Sequence, residues 1–398
     1  MKVTRDSIPP FENPSAVDRR SFLRDAVAAG SFVLAAHAPL LRTLGQANVR
    51  RLAPVKVARN RIIREIVGLR PFRAEGYVVE AQRIGKKLLI HNYGHGGAGI
   101  TLSWGTASQA VDLLRDFPRT APARRTARNT PRRFAVIGCG VNGLSTAILL
   151  QRRYQNGPGT VTIYAKDLPP DTTSNIAAGY WSPVSLFDSD VASTKFVEQM
   201  RTAARISNRA FQLLVGPAYG VRWLDIFTLH RNEISLQGEL PGGNDLYPQQ
   251  IIHRDPANYF GVPIVRQYSS MMIEPPIYLR ALLRDFYTAG GRIVVKRFRR
   301  REEVMRLPEP VIFNCSGLGA RQLFGDEKLI PVRGQLEVLL PQPEIDYGYI
   351  GPGHMFPRSD GIFLGGTFDP DDWSLEVRRD QGDGILNTHL EIMKALRT

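Results

Sequence analysis

Apolar positions in this 398-residue chain recur with two different periods, and the elements change where the period changes. From 48 to about 115, the alternating runs YVVEAQRI and KLLIHNY predict strands, and the glycine-rich turn HNYGHGGAGITLSWG leads into a helical pattern, TASQAVDLL. At fewer than 70 residues the segment has no room for a core of its own. Residues 116–132, rich in Pro and Arg, break both periods and form the linker candidate. From Arg133 a short apolar strand (FAVIG), a glycine turn, an amphipathic helix (LSTAILLQRRY) and a second strand (TVTIYA) make one βαβ unit. Helical patterns follow over 193–214 and 276–289, the second leading through Gly290-Gly291 into the strand RIVVKRF. PVIFNCSG reads as a short buried strand, GQLEVLL and GIFLGG as further strands, and the last helix is expected near 384–396. No internal repeat is present.

Composition fits this reading. With 43% hydrophobic residues, 36 glycines and 28 prolines, the chain has apolar surface for about two domains. The net charge of +15 raises a nucleic-acid or membrane partner, so its distribution matters. Arg115 to Arg133 carries seven arginines against one aspartate, and KRFRRREE (Lys296 to Glu303) carries five cations against two glutamates. Each cluster has a single Phe and no interleaved aromatics for base stacking, so they read as a solvated linker and a solvated strand edge, with no nucleic-acid partner. Cys139 and Cys315 both fall in buried strand ends, which argues against a disulfide and against thiol catalysis.

Residues 18–24 read DRRSFLR, and after Asp25 come the apolar run AVAAGSFVLAA and the small-residue pattern Ala36-His37-Ala38. Charged, apolar and cleavage regions in this order make an export signal, and adjacent arginines followed by Ser-Phe-Leu make it look like a twin-arginine signal. The bland alternative is a short buried helix with a basic flank. The apolar run is shorter than the ~20 residues of a membrane span. Residues 1–47 are therefore expected to be signal and spacer. The protein is expected to leave the cytoplasm folded, through the twin-arginine export machinery, for the periplasm or the medium, with no stable membrane span after processing.

The strongest local signal is Gly138-Cys139-Gly140-Val141-Asn142-Gly143, which follows an apolar strand and opens a helix. Glycines at these spacings permit the tight turn, the close approach of backbone to a pyrophosphate, and close helix-to-strand packing. An acidic residue usually ends the second strand of such a unit and holds the adenosine ribose. Here that position is Ala165, with Lys166 and Asp167 next in line at the cofactor, which argues against an ordinary NAD site. The stretch DTTSNIAAGYWSP then offers hydroxyls and a flexible Ala-Ala-Gly; read alone, its TTS is an ordinary capped turn.

VIGCGVNGLSTA, TTSNIAAGYW, VIFNCSGLGA, VRGQLEVL, YIGPG and GGTFDPDDW, in this order, resemble the D-amino-acid oxidase family of flavoproteins, which includes D-aspartate oxidases. The resemblance implies an α/β protein with a Rossmann-type FAD-binding domain and a mixed-sheet substrate domain. It implies that Gly138, Gly140 and Gly143, with Val141 and Asn142 between them, hold the FAD diphosphate. Thr172, Thr173 and Ser174 would hold ribose and phosphates, and Ala178 and Gly179 would lie beside the flavin. Two further family signatures are displaced: GLRPFR (Gly68 to Arg73) and HNYGHGGAGITLSWG (His91 to Gly105) precede the Rossmann strand instead of following GGTF and DW. The chain thus resembles a circular permutant, its basic run joining the family's usual end to its usual beginning, with 133–398 as the FAD-binding core and interleaved substrate domain. Its final helix, ILNTHLEIMKALRT, stands roughly where the family would continue into the arginine strand.

By the same resemblance, Arg70 and Tyr349 meet on the substrate carboxylate, and the Gly97 backbone receives its amino group. Only a guanidinium offers a bidentate fork for such a group. Gly96, Gly99, Ile100 and Thr101 would present a helix start to the reduced flavin. His91 and His95 read as turn-stabilising residues and not as a base or metal ligands, and no metal is expected. Ser182, after Trp181, stands where some members have a longer polar residue, and Ile345 where some have a second lid tyrosine. The implied reaction is oxidation of a D-amino acid by FAD, with molecular oxygen giving a 2-oxo acid, ammonia and hydrogen peroxide. The alternatives are a D-aspartate, glycine or N-methyl amino acid oxidase, a dehydrogenase passing electrons to a carrier, or an idle FAD-binding protein with a basic surface.

Overall fold

A computed structural model describes residues 51–115, 133–154, 160–233, 240–254 and 259–396. The export signal and basic linker expected over 1–47 and 116–132 lie outside the described residues. In chain order the described strands are β1 (Ile62–Phe72), β2 (Val78–Ile84), β3 (Lys87–Tyr93), β4 (Phe134–Ile137), β5 (Val161–Ala165), β6 (Val221–His230), β7 (Ile251–Arg254), β8 (Ile264–Ile273), β9 (Arg292–Val295), β10 (Val311–Asn314), β11 (Ile330–Leu339), β12 (Tyr347–Ile350), β13 (His354–Arg358), β14 (Gly361–Gly365) and β15 (Asp369–Pro370). The helices are α1 (Gly99–Asp112), α2 (Val141–Tyr154), α3 (Thr173–Ile176), α4 (Thr194–Gln212), α5 (Pro275–Thr288), α6 (Arg301–Met305), α7 (Gly319–Phe324) and α8 (Arg379–Lys394).

One sheet runs β2-β3-β10-β4-β5-β9 and is parallel except for β2, which pairs antiparallel with β3. All residues of β4 and β5 are buried, as expected of strands covered on both faces. This is the Rossmann-type layer. The second sheet runs β1-β11-β14-β13-β12-β6-β8-β7 with β15 beside β11, and is antiparallel apart from the β12–β6 pair. It is the mixed sheet.

The segment before the linker belongs to both sheets. β1 pairs with β11 from Ile62↔Leu339 to Phe72↔Ile330, and β3 pairs with β10 from Leu88↔Val311 to His91↔Asn314. Those partners supply the core the segment lacks alone. α1 then packs on α2 and α4, so closely that a Cβ at Gly105 would overlap the carbonyl of Ala203, and the Gly105 N–H donates to Ser207 Oγ at 2.8 Å. α4 and α5 match the helical patterns at 193–214 and 276–289. α8 begins at Arg379, earlier than expected, because its polar first turns (RDQGDG) hide the apolar period. β6, β7 and β8 were not expected from the chain's pattern.

Candidate active site

The βαβ unit sets the geometry at one end of a cavity of about 1420 Å³. Gly138 leaves β4 with φ of 106°, a backbone conformation that side chains rarely adopt, and a Cβ there would strike the Cys315 carbonyl. A Cβ at Gly143 would overlap the Gly138 carbonyl, so this glycine lets α2 start directly against the turn. Gly138, Gly140, Val141 and Asn142 line the cavity, and Gly143 lies behind them. Ser174 Oγ accepts from the Val141 N–H at 3.0 Å and thereby ties α3 to the start of α2. Thr172, Thr173, Ala178 and Gly179 line the adjoining wall. Farther along, Lys166 and Asp167 form an exposed 2.9 Å ion pair, and Lys296, Arg297 and Phe298 enter the same cavity from the end of β9. Those last three were missed, because their basic run read as a solvated strand edge.

Opposite this turn stand Gly96, Gly97, Gly99, Ile100 and Thr101. A single 3₁₀ turn, Gly96–Ala98, feeds α1, whose N-terminus has no side-chain cap and leaves its first N–H groups for a ligand. The Gly97 N–H donates to Ser185 O at 2.8 Å, and Thr101 Oγ1 donates to Ser182 O at 3.1 Å. His95 joins the two walls: its Nδ1 meets Asn142 Nδ2 at 3.2 Å and its Nε2 meets Thr106 Oγ1 at 3.2 Å. His91 is likewise engaged at both nitrogens, by Gln82 and Asn314. Burial lowers the His95 pKa to about 3 and that of His91 to about 4, so both are neutral structural groups. The thiols of Cys139 and Cys315 are free, buried, and pushed up to about 12 by desolvation.

The mixed sheet forms the remaining wall. Arg70 reaches the cavity from β1, its Nη1 donating to Thr367 O at 3.3 Å and, more weakly, to Arg333 O at 3.5 Å. Among the described residues no carboxylate pairs with it. Burial lowers its pKa and Asp369 partly opposes that, but a guanidinium stays charged. A Cβ at Gly334 would lie 2.5 Å from both Nη1 and Nη2, so the guanidinium rests flat on bare backbone. The Arg70 Cδ is 3.7 Å from where a Gly97 Cβ would be, so those two residues do meet. Tyr180 and Phe356 line the same cavity and stack at 4.8 Å, with the Tyr180 hydroxyl on that of Tyr268 at 2.8 Å.

Residues 133–398 match the FAD dependent oxidoreductase family. The chain belongs to that family. It is 30% identical over 268 residues to a D-amino acid oxidase of Dugesia ryukyuensis, covering 66% of this chain and 78% of that one. It is 30% identical over 262 residues to a D-aspartate oxidase of Homo sapiens, covering 64% and 74%. Among solved structures, a glycine oxidase from Bacillus cereus is similar, with 15% identity, a TM-score of 0.49, and coverage of 66% of this chain and 78% of that one.

The cofactor of this oxidoreductase is FAD, and the residues present fit it. Two helix N-termini, of α1 and α2, open on one cavity, and the side-chain oxygens of Asn92 and Asn142, both lining it, are buried without a partner. One expectation fails. Tyr349 lies outside the cavity, fully buried, with its hydroxyl on His389 Nδ1 at 2.6 Å and its ring against Phe260. Successive residues of a strand face opposite sides, and on β12 the cavity side belongs to Ile350. Tyr349 is a core residue, so Arg70 and Tyr349 do not converge on a carboxylate.

Proposed function

We propose that this oxidoreductase oxidises D-amino acids to 2-oxo acids and ammonia, with one O₂ and one water consumed and one hydrogen peroxide released per turnover. The observation that carries the reading is Arg70: a half-buried guanidinium that no carboxylate pairs among the described residues, on the sheet face that looks into the cofactor cavity. FAD held between the glycine turn at 138–143 and the start of α1 would supply the two-electron acceptor for the Cα hydride, with oxygen as the final oxidant. The chain's own part is positioning. Arg70 grips the carboxylate, the Gly97 backbone stands beside it for the amine, and Tyr180 with Phe356 forms an apolar wall that holds the side chain and limits water.

Neutral side chains are favoured over that of D-aspartate. Of the other cations lining the cavity, Lys166, Lys296 and Arg297 stand at the ends of β5 and β9, away from the mixed sheet, and the Arg321 guanidinium donates to the carbonyls of Glu327 and Leu329. Among the described residues, a second carboxylate beside Arg70 would have no cation of its own. Peroxide release from the purified protein, measured one D- or L-amino acid at a time, tests the reading; turnover of L-amino acids alone, or of none, would end it.

The displaced segment supports a second reading, that the chain is a circular permutant of its family. The family match begins at 133, yet β1, β2 and β3 complete both sheets. A rearranged chain that starts at 133 and carries 51–115 after 396 should fold and bind FAD; an insoluble or colourless product counts against the permutation. Export by the twin-arginine route rests on DRRSFLR and the weak apolar run after it. Replacing Arg19 and Arg20 by Lys should leave folded flavoprotein in the cytoplasm, and undiminished export refutes it.

A further inference from the structure

With Tyr349 turned into the core, the carboxylate held by Arg70 needs another partner, and the sheet register names one. Residues paired across antiparallel strands share a face, as do residues two apart on one strand. Gly68 pairs with Gly334, Leu336 with Gly365, and Gly365 with His354. Arg70, Gly334, Leu336, Gly365 and His354 therefore lie on one face, the cavity face, while Tyr349, paired with Met355, lies on the other.

We propose that His354 is the second ligand of the substrate carboxylate, reaching it from the side opposite Arg70. This rests on reading the cavity as an amino-acid oxidase site. Strands β1 and β13 are separated by β11 and β14, three strand spacings or ~14 Å. From one side the Arg70 guanidinium lies across Gly334 on β11. From the other the His354 imidazole lies across Gly365 on β14, where a Cβ would overlap Nε2. The two heads are thus one strand spacing and two residues apart, about 8 Å on strand geometry. A carboxylate accepting at ~2.8 Å on each oxygen spans about the same distance.

The imidazole is also open to a ligand. The other described histidines have hydrogen-bond partners: His91, His95, His230, His253 and His389. For His354, among the described residues, neither ring nitrogen has one, and its ring contact is with Phe356 at 5.4 Å. Burial first, then His389 and Arg70, lower its pKa to about 3, so the ring is neutral and carries one N–H. Behind it the proton order is fixed. Tyr349 O–H donates to His389 Nδ1, and His389 Nε2–H donates to Gly365 O at 3.1 Å.

The test uses FAD-loaded protein and two probes, D-alanine for turnover and pyruvate for binding by calorimetry. His354→Leu should raise the pyruvate Kd and the D-alanine KM about tenfold or more, with a smaller change in kcat, since it removes a hydrogen bond to a charged group. His354→Gln, which keeps a donor, should recover most of the loss. Arg70→Met should abolish pyruvate binding with FAD content unchanged. If His354→Leu binds pyruvate within twofold of the parent while Arg70→Met does not bind, the histidine assignment is wrong and the site reading stands. If neither variant changes binding, both fall. Should His354→Leu fail to hold FAD, the ring ¹⁵N shifts of His354 in the unmodified protein decide: they move on addition of pyruvate, or the assignment is wrong.

Discussion

Gly334→Ala separates the fold from the chemistry at a single position. The added methyl would sit 2.5 Å from both terminal nitrogens of Arg70 and 2.7 Å from Cζ, whereas an unstrained contact needs about 3.5 Å. The guanidinium must therefore rise from the sheet by ~1 Å. The three nearest atoms are all the far end of a flexible side chain, which can move without shifting backbone. Removing a glycine's freedom in the unfolded chain is worth ~0.4–1 kcal/mol, which offsets part of any residual crowding. Melting temperature and FAD affinity should thus stay close to those of the parent. A carboxylate held ~1 Å out of line costs about 100-fold in rate, or ~2.7 kcal/mol of transition-state stabilisation. Steady-state kcat/KM on D-alanine reads that loss directly, with flavin fluorescence and a thermal melt as controls. A kcat/KM within threefold of the parent would refute the idea that bare backbone under Arg70 sets its position. A variant that loses FAD would show that Gly334 serves the fold instead.

Other outcomes follow from the same geometry. Tyr349→Phe should leave KM unchanged and lower stability by ~1 kcal/mol, a few degrees in the melt, since its hydroxyl serves His389 and not the substrate; a large rise in KM would restore the tyrosine to the active site. Gly143→Ala should abolish FAD retention, measured as flavin per protein after gel filtration, because the methyl meets the Gly138 carbonyl, which is backbone and cannot swing away. His91, His95 and His389 are neutral when folded, with pKa values held to about 4, 3 and 4 against ~6.5 in an unfolded chain. Their lowered values mean that the unfolded state binds protons first as pH falls. Stability is therefore full above pH ~6.5 and is lost as pH falls, down to pH ~4 for His91 and His389 and ~3 for His95, by ~1.4 kcal/mol per pH unit for each histidine; melts at pH 7.5 and 5.0 should differ clearly.

The strand, glycine turn and helix over 134–154 were legible because a buried parallel strand is a continuous apolar run and the turn's glycines are irreplaceable at their spacing. Arg70 was legible too, through its surrounding GLRP, and its meeting with Gly97 followed. What the chain could not disclose is the side of the sheet on which a residue stands. YIGPG marks Tyr349 well, but a strand's face is set by its pairing, and a slip of one residue reverses it. Five positions later His354 stands on the face expected of Tyr349, and no local pattern distinguishes the two. β6 and β8 escaped notice because they pair chiefly with each other, with both faces partly buried, so that the alternation is blurred. Lys296 to Phe298 escaped because a basic run carries no sign of what lies opposite it.

The pairing of β1 with β11 has a consequence for the order in which the molecule forms. Ile62 meets Leu339, and Leu88 meets Val311, so β1 and β3 wait for partners more than two hundred residues farther along the chain. At ~5–20 residues per second that wait is on the order of ten seconds to a minute. Throughout it β1 presents an unpaired edge, the kind of surface that recruits chaperones or sticks to neighbouring chains. Folding of this protein on the ribosome is therefore not a matter of finishing one domain and starting the next: the strand with Arg70 leaves the ribosome well before β11 and is fixed in place only once β11 has followed.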